Sequence, residues 1–382
     1  MRQVMICAGE ASGDLNAGAL TKEILSLDKD IKVFGMGGDM MRSAGGEVLF
    51  DIKDHGVMGF AEVLRKLPSL FKLRDDLSTL MDERRPSCLV AIDYPDFNMR
   101  IAKIAHDKGI PVVYFFSPSA WIWRKGRAKE IAKTVDTVAA VFPFERDVYV
   151  EAGANVNFVG HPLLDIVKPS MPFADAKKLV NKQDGRKTVL LLPGSRVQEI
   201  KKLLPAMLKA AEIMHKKDDS CDFYLIRANT ISEDLINSYT SSVNVPINIA
   251  TGKNYDIMSV SDVAIATSGT VTLEAALCGL PSVIIYKTSP ISAFIARLVI
   301  KVKHIGLPNI VAGKEILPEL LQEDASGEHI AQEAFRLLDA QNRPQIEKDL
   351  AFMKERLGEE GAVKRVAKLV LDIAYRVDAG RT

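Results

Sequence analysis

The chain has 382 residues, and its 50 lysines and arginines nearly balance 49 aspartates and glutamates, for a net charge of +1. This balance excludes the basic excess typical of dedicated nucleic-acid binders, and an apolar content of 47% excludes a mainly disordered chain. At roughly 150 residues per domain, two domains are the simplest expectation.

Short β-branched runs alternate with amphipathic helical stretches along the first half of the chain. The predicted strands are 3–7, 31–34, 88–92, 112–116 and 137–141, and the predicted helices are 17–27, 69–82, 97–108 and 127–134. Such alternation is typical of βαβ units, which build a parallel sheet with helices on both faces.

A polar stretch at 168–186, with two prolines and an Asp-Gly pair, predicts a linker, and a second alternation follows it. Its predicted strands are 188–192, 223–226, 247–250, 263–266 and 282–286, with helices at 197–216, 232–241, 255–259 and 271–277. The prediction is therefore two doubly wound α/β domains, 1–167 and 187–344, facing across a cleft. Helical segments within 345–382 close the chain and are expected to pack back towards the first domain. Ligands of such sheets bind beyond the strand carboxyl ends, where the strand order reverses.

The cysteines and the hydropathy pattern bear on the compartment. The four cysteines lie in apolar runs at wide spacings, which favours buried, reduced thiols and a cytoplasmic protein. No apolar run approaches the ~20 residues that span a bilayer, and the N-terminus lacks the features of a signal peptide. We therefore expect neither export nor a membrane-spanning helix, while association with a membrane surface stays open.

The loop at 8–14, after the first predicted strand, is Gly-rich but carries two carboxylates, Glu10 and Asp14. Acids repel a pyrophosphate, so dinucleotide binding is not expected there. Two interpretations stay open. In the first, Glu10 and Asp14 hydrogen-bond substrate hydroxyls or an amine. In the second, Ser12 or Asp14 merely caps the next helix.

Asp93 follows the buried run 88–92, at the strand end where sites are built. A carboxylate there can take a proton from a hydroxyl nucleophile. Asp96 is predicted to cap a helix that starts at Phe97. The Asp-x-x-Asp spacing differs from the Asp-x-Asp of metal-dependent sugar transferases, and no histidines pair at ligand spacing, so we expect no catalytic metal.

The loop at 116–127 carries both tryptophans of the chain beside three basic residues. Aromatic and cationic groups together suit a sugar phosphate or a lipid headgroup. The alternative is a tryptophan that plugs the sheet edge next to solvated charges.

Two strand-to-helix turns of the second half, 191–196 and 266–274, are typical of anion-binding helix starts. Ser195 can cap the first helix and Arg196 can reach a pyrophosphate. Ser268, Gly269 and Thr270 begin the second helix, where Glu274 can accept hydrogen bonds from ribose hydroxyls. The pattern favours a nucleotide-diphosphate site over two ordinary capped helices.

Two amphipathic stretches carry basic residues beside an apolar stripe, one at 57–74 and one at 294–303. Each suits either the surface of an anionic membrane or a core-facing stripe with a solvated basic rim. The pattern alone does not decide between them.

A set of motifs resembles the lipid-A-disaccharide synthase family, in order from residue 8 to about residue 322. The motifs are Gly9-Glu-Ala-Ser-Gly-Asp14, Val57-Met-Gly-Phe-Ala-Glu-Val63, Ile92-Asp-Tyr-Pro-Asp-Phe-Asn98, Ser117-Pro-Ser-Ala-Trp-Ile-Trp-Arg124, Phe142-Pro-Phe-Glu145, Gly160-His161, Leu191-Leu-Pro-Gly-Ser-Arg196, Ser268-Gly-Thr270 and Leu307-Pro-Asn-Ile-Val-Ala-Gly313. One departure is Tyr94, where the family usually has a smaller residue.

The resemblance implies an inverting, metal-independent transferase of the two-Rossmann (GT-B) type. Its donor would be UDP-2,3-diacylglucosamine and its acceptor 2,3-diacylglucosamine 1-phosphate, which give a β-1,6 disaccharide 1-phosphate and UDP. The resemblance also implies peripheral association with the cytoplasmic face of the inner membrane, and a homodimer is an open option. No cofactor and no nucleic acid are expected.

The resemblance assigns roles to individual residues. Asp93 would deprotonate the acceptor 6-hydroxyl, and Glu10 would act near the reacting sugars. The implied acceptor and lipid side comprises Ser12, Asp14, Val57, Met58, Phe60, Leu64, Trp121, Arg124 and Arg127. The implied nucleotide side comprises Ser195, Arg196, Asn229, Ser268, Gly269, Thr270, Glu274, Asn309 and Gln322. The last helix, at 362–376, is expected to cross back onto the first domain.

Two other functions are kept as alternatives. A soluble UDP-sugar epimerase shares the two-domain fold and would turn over its substrate without an acceptor. A non-catalytic membrane-surface module would keep its activity when Asp93 is replaced. Fold alone does not separate these functions.

Overall fold

The computed structural model describes residues 2–55, 60–118, 125–288 and 303–381. Side chains are described over the same ranges except at 11, 54, 55, 60–67, 125 and 381. The chain forms two compact units, one comprising Met1–Asp165 with Gly358–Thr382 and the other Ile166–Leu357.

The first unit is built on a seven-stranded parallel sheet over its described residues. Its strands are β1 (Gln3–Ala8), β2 (Lys32–Gly37), β3 (Glu47–Asp51), β4 (Cys88–Ile92), β5 (Val112–Phe115), β6 (Thr137–Ala140) and β7 (Val156–Phe158). They run in the order β3-β2-β1-β4-β5-β6-β7. The central strands are almost wholly apolar because helices cover both of their faces.

The helices of this unit follow from apolar residues at helical spacing. They are α1 (Ala11–Leu27), α2 (Asp39–Ser43), α3 (Ile52–His55), α4 (Phe60–Arg84), α5 (Pro95–Asp107), α6 (Lys125–Thr134), α7 (Pro143–Glu151) and α8 (Leu163–Ile166). On α4, for example, Leu73, Leu77 and Leu80 share one buried face, and on α5 Ile101 and Ala105 do the same.

The second unit is built on a six-stranded parallel sheet in the order β10-β9-β8-β11-β12-β13. Its strands are β8 (Lys187–Leu192), β9 (Cys221–Ile226), β10 (Ile247–Ala250), β11 (Val263–Thr267), β12 (Ser282–Tyr286) and β13 (Glu319–Leu321). Its helices are α9 (Phe173–Leu179), α10 (Val197–Lys217), α11 (Glu233–Thr240), α12 (Asn254–Val260), α13 (Thr270–Leu277), α14 (Leu307–Ala312), α15 (Gly327–Leu338) and α16 (Arg343–Arg356).

Each sheet has one point where the strand order reverses. In the first sheet this point lies between β1 and β4, and in the second it lies between β8 and β11. The crevice beyond the carboxyl ends of such a strand pair is where open α/β sheets bind ligands. The loops after these four strands carry four of the predicted site motifs, those at 8–14, 92–98, 191–196 and 266–274.

The predicted linker at 168–186 is wrong, because this stretch is an ordered part of the second unit. Its helix α9 packs on α12, and Ala176 and Val180 are buried in the core. Asp256 accepts hydrogen bonds from the backbone N–H and hydroxyl of Ser170, at 2.6 and 2.8 Å. The prolines mark the start of this helix rather than a flexible connection.

The predicted return of both final helices to the first unit is wrong for the earlier one. Helix α16 belongs to the second unit, where its own residues Ile346, Leu350 and Met353 are buried. Only the last helix, α17 (Ala362–Arg381), belongs to the first unit and packs on α1. Its Tyr375 hydroxyl donates to Asp28 at 2.9 Å.

In the described ranges, no helix combines the length and the apolar character that crossing a membrane requires.

Candidate active site

Asp93 is held at the end of β4 in an unusual backbone conformation. Its φ is +51° and that of the following Tyr94 is +49°, so two residues in a row occupy the left-handed region. The Asp93 N–H donates to the Phe115 carbonyl at 3.2 Å, and its own carbonyl accepts from the Tyr114 hydroxyl at 3.2 Å. These bonds fix the point at which the carboxylate leaves the sheet.

Asn98 clamps the two strands of the switch point together. Its side-chain amide lies 3.0 Å from the Cys7 carbonyl, 3.1 Å from the Ile92 carbonyl and 2.8 Å from the Asp93 carbonyl. Asn98 is fully buried, so this amide bridges the ends of β1 and β4 away from water. The loops that carry Glu10 and Asp93 therefore start from one rigid point.

The Asp93 carboxylate is largely desolvated, and no described residue forms an ion pair with it. Ser12 donates its hydroxyl to Oδ2 over 3.4 Å. Burial raises the pKa of the Asp93 carboxyl, while hydrogen bonds from Tyr94 and Ser12 oppose this rise. A carboxylate with a raised pKa is a stronger base than one in water, which is the property that proton abstraction needs.

Tyr94 and Gly9 explain how a large side chain fits beside Asp93. A Cβ on Gly9 would lie 2.1 Å from the Tyr94 ring, so the ring covers the backbone of the first loop and requires glycine there. Burial raises the pKa of Tyr94, and the negative charge of Glu10 adds to this rise. Glu10 is exposed at the start of α1, on the same side as Tyr94.

The structure gives Asp14 a structural role, and its assignment to the acceptor side stays a prediction. Its carboxylate is buried and accepts from the backbone N–H groups of Gly38, Met40 and Met41, at 2.7, 3.0 and 3.1 Å. It therefore caps α2, a different helix from α1, in which Asp14 itself lies. Both carboxylate oxygens are occupied by these amides.

Asp96 does not cap α5, which corrects a prediction. The helix begins two residues earlier than predicted, at Pro95, with Tyr94 as its N-cap residue. The Asp96 carboxylate instead pairs with the Arg127 guanidinium of α6. Arg127, predicted to bind the acceptor, is thus engaged by an acid in this structure.

Another set of family motifs forms a buried aromatic cluster beyond β5, β6 and β7. The His161 ring lies 5.5 Å from the Phe116 ring and 4.8 Å from the Phe142 ring, and its Nδ1 accepts from the Leu163 N–H at 3.2 Å. Burial lowers the pKa of His161 to about 3, so the ring is neutral. In the same cluster, burial raises the pKa of Glu145 to about 8.

In the second unit, the first predicted anion loop is capped from within. Glu199 accepts from the backbone N–H groups of Ser195 and Arg196 at 3.1 and 3.2 Å, and it also pairs with the Arg196 guanidinium at 3.0 Å. A Cβ on Gly194 would lie 2.3 Å from Glu199, so the lack of a side chain at Gly194 makes room for the Glu199 carboxylate. The capping role predicted for Ser195 is performed by Glu199.

The neighbouring loop after β9 is joined to this one. The Thr230 hydroxyl donates to the Ser195 carbonyl at 2.7 Å. Asn229, predicted to contact the nucleotide, is exposed in the same turn. The structure thus brings Asn229 next to Ser195 and Arg196.

In the second predicted anion loop, no described residue covers the start of the helix. Gly269 is the N-cap residue of α13 and provides no side-chain cap, and a Cβ there would meet no described residue within 4 Å. The first amides of α13, beginning at exposed Thr270, therefore face accessible space. The Ser268 hydroxyl donates to the Ile305 carbonyl at 3.1 Å, so it anchors the following segment.

Glu274 lies one turn into α13 and is mostly buried. Desolvation raises its pKa to about 7. A carboxyl of this kind changes its charge near neutral pH, and hydroxyl groups that donate hydrogen bonds to it stabilise its ionised form. It is therefore suited to accepting hydrogen bonds from a ribose, as predicted.

Asn309 has a structural role, and its assignment to the nucleotide side stays a prediction. It is fully buried, and its amide donates to Leu317 and to Glu319, both at 2.7 Å. Its carbonyl oxygen accepts from two further backbone N–H groups at 2.7 and 2.9 Å. Gln322 differs: it is half-buried at φ +54°, and its side chain accepts from the Thr288 N–H at 3.3 Å.

Several predicted residues lie outside the described part of the chain. These are Val57, Met58, Trp121 and Arg124, together with the side chains of Phe60 and Leu64. Their assignment to the acceptor and lipid side stays a prediction. Within the described ranges, no group of three or more histidine, cysteine, aspartate or glutamate side chains is arranged to hold a metal ion.

Sequence reasoning missed Asn98 and Glu199. A sequence signal existed for Glu199, because an acid three residues after an N-cap position is typical of a capping box. For Asn98 the signal was a polar residue on the otherwise apolar face of a predicted helix. Its three carbonyl partners come from two strands, so their identity required the three-dimensional structure.

The fold, with one switch point in each sheet, defines a class of proteins built on two Rossmann-like domains. A UDP-GlcNAc 2-epimerase from Neisseria meningitidis bound to UDP-GlcNAc matches with a TM-score of 0.65 at 14% identity, over 97% of this chain and 100% of that one. MurG of Acinetobacter baumannii matches with a TM-score of 0.60 at 14% identity and the same coverage. At such identities the likeness shows the fold alone.

Sequence comparison identifies the family within this class. Residues 4–373 match the lipid-A-disaccharide synthetase family. The lipid-A-disaccharide synthase of Geobacter metallireducens is 43% identical over 373 residues, and that of Geobacter sulfurreducens is 42% identical over 372 residues, each over 97% of both chains. The chain therefore belongs to the lipid-A-disaccharide synthetase family and is a glycosyltransferase. This confirms the family, the fold class and the kind of enzyme predicted from the motifs, over the epimerase and the non-catalytic module.

Proposed function

We propose that the chain transfers the sugar of UDP-2,3-diacylglucosamine to the 6-hydroxyl of 2,3-diacylglucosamine 1-phosphate. The products are the β-1,6-linked disaccharide 1-phosphate and UDP. The observation that carries this proposal is the desolvated Asp93 carboxylate at the switch point of the first sheet. Family membership supports the same reaction.

Asp93 is the base in this mechanism. It accepts the proton of the acceptor 6-hydroxyl while the oxygen forms a bond to C1 of the donor sugar. The bond from C1 to the β-phosphate oxygen breaks on the opposite face, and its electron pair leaves with UDP. One in-line displacement inverts the anomeric carbon and needs no covalent intermediate. The raised pKa of Asp93 strengthens the base, and Glu10 orients the acceptor beside it.

The second unit binds the nucleotide in this proposal. The open start of α13 receives the diphosphate, because helix N-termini stabilise negative charge as it develops on a leaving group. Glu274 accepts from the ribose hydroxyls, and Arg196 adds a positive charge nearby. Asn229 and Gln322 complete the donor side. No metal ion takes part.

Both substrates carry acyl chains, so the enzyme has to work at a membrane surface. We place it at the cytoplasmic face of the inner membrane. The basic amphipathic stretch at 57–74 is the proposed contact, and its described end has the Arg74 guanidinium 5.2 Å from the ring of exposed Phe71.

The test is UDP release from the donor, with and without the acceptor, in excess EDTA and in its absence. We expect release only with the acceptor, equal rates with EDTA, and a β-configured product by NMR. An acceptor whose 6-hydroxyl is replaced by hydrogen is the matched control, and it should inhibit without releasing UDP. Release without any acceptor would contradict the proposal in favour of an epimerase or hydrolase, and a loss of activity in EDTA would contradict the metal-free mechanism.

A further inference from the structure

A cavity of about 480 Å³ opens between the amino-terminal turns of α5 and α6. Its lining residues are Asp96, Met99, Arg100, Gly126, Arg127 and Glu130. The two helices follow β4 and β5, so the cavity lies at the carboxyl edge of the first sheet. Three Cα steps of about 3.8 Å separate Asp93 from Asp96, which keeps these Cα atoms within about 11 Å.

The two arginines that line this cavity differ in whether they have an ion-pair partner. The Arg127 side chain is 19% exposed and pairs with Asp96, whose side chain is 81% exposed. Arg100 is exposed and has no ion-pair partner among the described residues. An ion pair with so solvated a partner contributes little, about 0–1 kcal/mol, so another anion can displace the Asp96 carboxylate at small cost.

We infer that this cavity binds the phosphomonoester of the acceptor through Arg100 and Arg127, and that Asp96 occupies the place of the phosphate on Arg127 in the free protein. A phosphomonoester carries a charge of about −1.5 to −2 at pH 7, against −1 for a carboxylate. It also presents three acceptor oxygens to two guanidinium groups, whose planar donors suit it.

This inference rests on the proposed function, because it names the group that fixes the acceptor beside the base. The phosphate sits on C1 of the acceptor sugar and the attacking hydroxyl on C6. Anchoring the phosphate at α5 and α6 therefore directs the opposite end of the sugar towards Asp93, and one sugar ring bridges the short separation set by the chain.

The first test compares the acceptor with the same diacylglucosamine lacking its phosphate. Arg100→Gln and Arg127→Gln should raise KM for the phosphorylated acceptor by at least roughly tenfold, because each removes a charged hydrogen bond. The ratio of kcat/KM for the phosphorylated acceptor to kcat/KM for the unphosphorylated one should fall by a similar factor, and Arg376→Gln on α17, the matched control with an exposed arginine, should leave this ratio at its wild-type value. Equal losses on both acceptors would overturn the inference.

The variant Asp96→Asn distinguishes two roles for Asp96: a carboxylate that the phosphate displaces, or a residue that positions Arg127. Because the variant removes the competing charge, KM for the phosphorylated acceptor should fall a few-fold, with no change for the unphosphorylated one. A rise in KM as large as that of Arg127→Gln would show that Asp96 positions the arginine, and would overturn its role as the occupant of the phosphate site.

A binding measurement that needs no turnover separates this inference from the proposed reaction. Calorimetric titration with glucosamine 1-phosphate should give saturable binding to the wild type that weakens at least roughly tenfold in both arginine variants. Glucosamine, which lacks the phosphate, should bind the wild type and both arginine variants with equal affinity. Equal affinity of the wild type and the arginine variants for the sugar phosphate would overturn the subsite, even if transfer is observed.

Discussion

The hydroxyl of Ser12 lies 3.4 Å from the carboxylate of Asp93, across the two strands at which the first sheet reverses its order. Ser12 lies in the first turn of α1, shortly after β1, and Asp93 directly follows β4. Asn98 fixes both strand ends, so this relationship is built into the sheet. The hydrogen bond is long, and it tunes the carboxylate without neutralising it.

Ser12→Ala should move the acidic limb of the kcat/KM profile to higher pH. The Ser12 hydroxyl stabilises the ionised carboxylate, so its loss raises the pKa of Asp93 further and more alkaline conditions are needed to ionise the base. We expect kcat/KM to fall about three- to fivefold on the acidic limb and to change little on the plateau at higher pH. Ser26→Ala, at an exposed position on α1, should leave the profile in place, and an acidic limb that moves to lower pH in Ser12→Ala would contradict the assignment.

Asp14→Ala should destabilise the protein without changing recognition of the acceptor. The variant leaves three backbone N–H groups at the start of α2 without their partner, which costs at least about 2 kcal/mol in free energy of unfolding. Denaturant unfolding measures this cost, and Asp147→Ala at an exposed position of α7 is the control. If the stable fraction of Asp14→Ala shows a raised acceptor KM, Asp14 has a role in binding after all.

Donor binding should weaken as the pH falls through about 7. Burial raises the pKa of Glu274 to about 7, and only the ionised carboxylate accepts from two ribose hydroxyls. The donor KM of the wild type should rise roughly tenfold between pH 8 and pH 5.5. Glu274→Gln should have a high KM that is insensitive to pH, whereas Glu233→Gln on α11 should behave as wild type. A pH dependence that persists in Glu274→Gln would assign it to another group.

His161 should make the fold sensitive to acid. Its pKa is lowered from 6.5 to about 3, so between these pH values His161 is protonated in the unfolded chain and neutral in the folded protein. The stabilisation is present above pH 6.5 and is lost as the pH falls towards 3. Between pH 7 and 4.5 the wild type should lose roughly 2–3 kcal/mol more than His161→Asn. Glu145 contributes with the opposite sign in both proteins, and it cancels from this difference.

The control for this comparison is His106→Asn, because His106 is exposed on α5. It should show the pH dependence of the wild type. Parallel stability curves for the wild type and His161→Asn would mean that His161 is not the group that titrates on unfolding.

The sequence predicted the elements whose apolar pattern is strong. Strands 88–92, 247–250 and 282–286 have the predicted bounds in the structure. The strands that were not predicted, β3, β7 and β13, are short or partly exposed at or near the sheet edges, and their residues lack a continuous buried run. Helix α5, which begins with a proline, starts earlier than the predicted cap residue.

The sequence predicted those site residues whose position depends only on the strand that precedes their loop. Asp93, Gly269 and Glu274 lie where the βα pattern put them, because parallel strands end at one edge. The partners of Asp14 and Asn309 were not predictable, since Gly38 and Leu317 reach these side chains through turns with no sequence signature. The same applies to Arg127, whose pairing with Asp96 depends on how two helices start side by side.

The most direct measurement of the central claim is the rate of disaccharide formation by Asp93→Asn at saturating substrates. Asparagine keeps the size and the backbone bonds of Asp93 but cannot accept the proton, so kcat should fall by about 10²–10⁴ while UDP affinity and thermal stability stay unchanged. Asp107→Asn, which removes an exposed carboxylate of α5, should retain wild-type activity. A kcat for Asp93→Asn within about threefold of the wild type would contradict the assignment of Asp93 as the base.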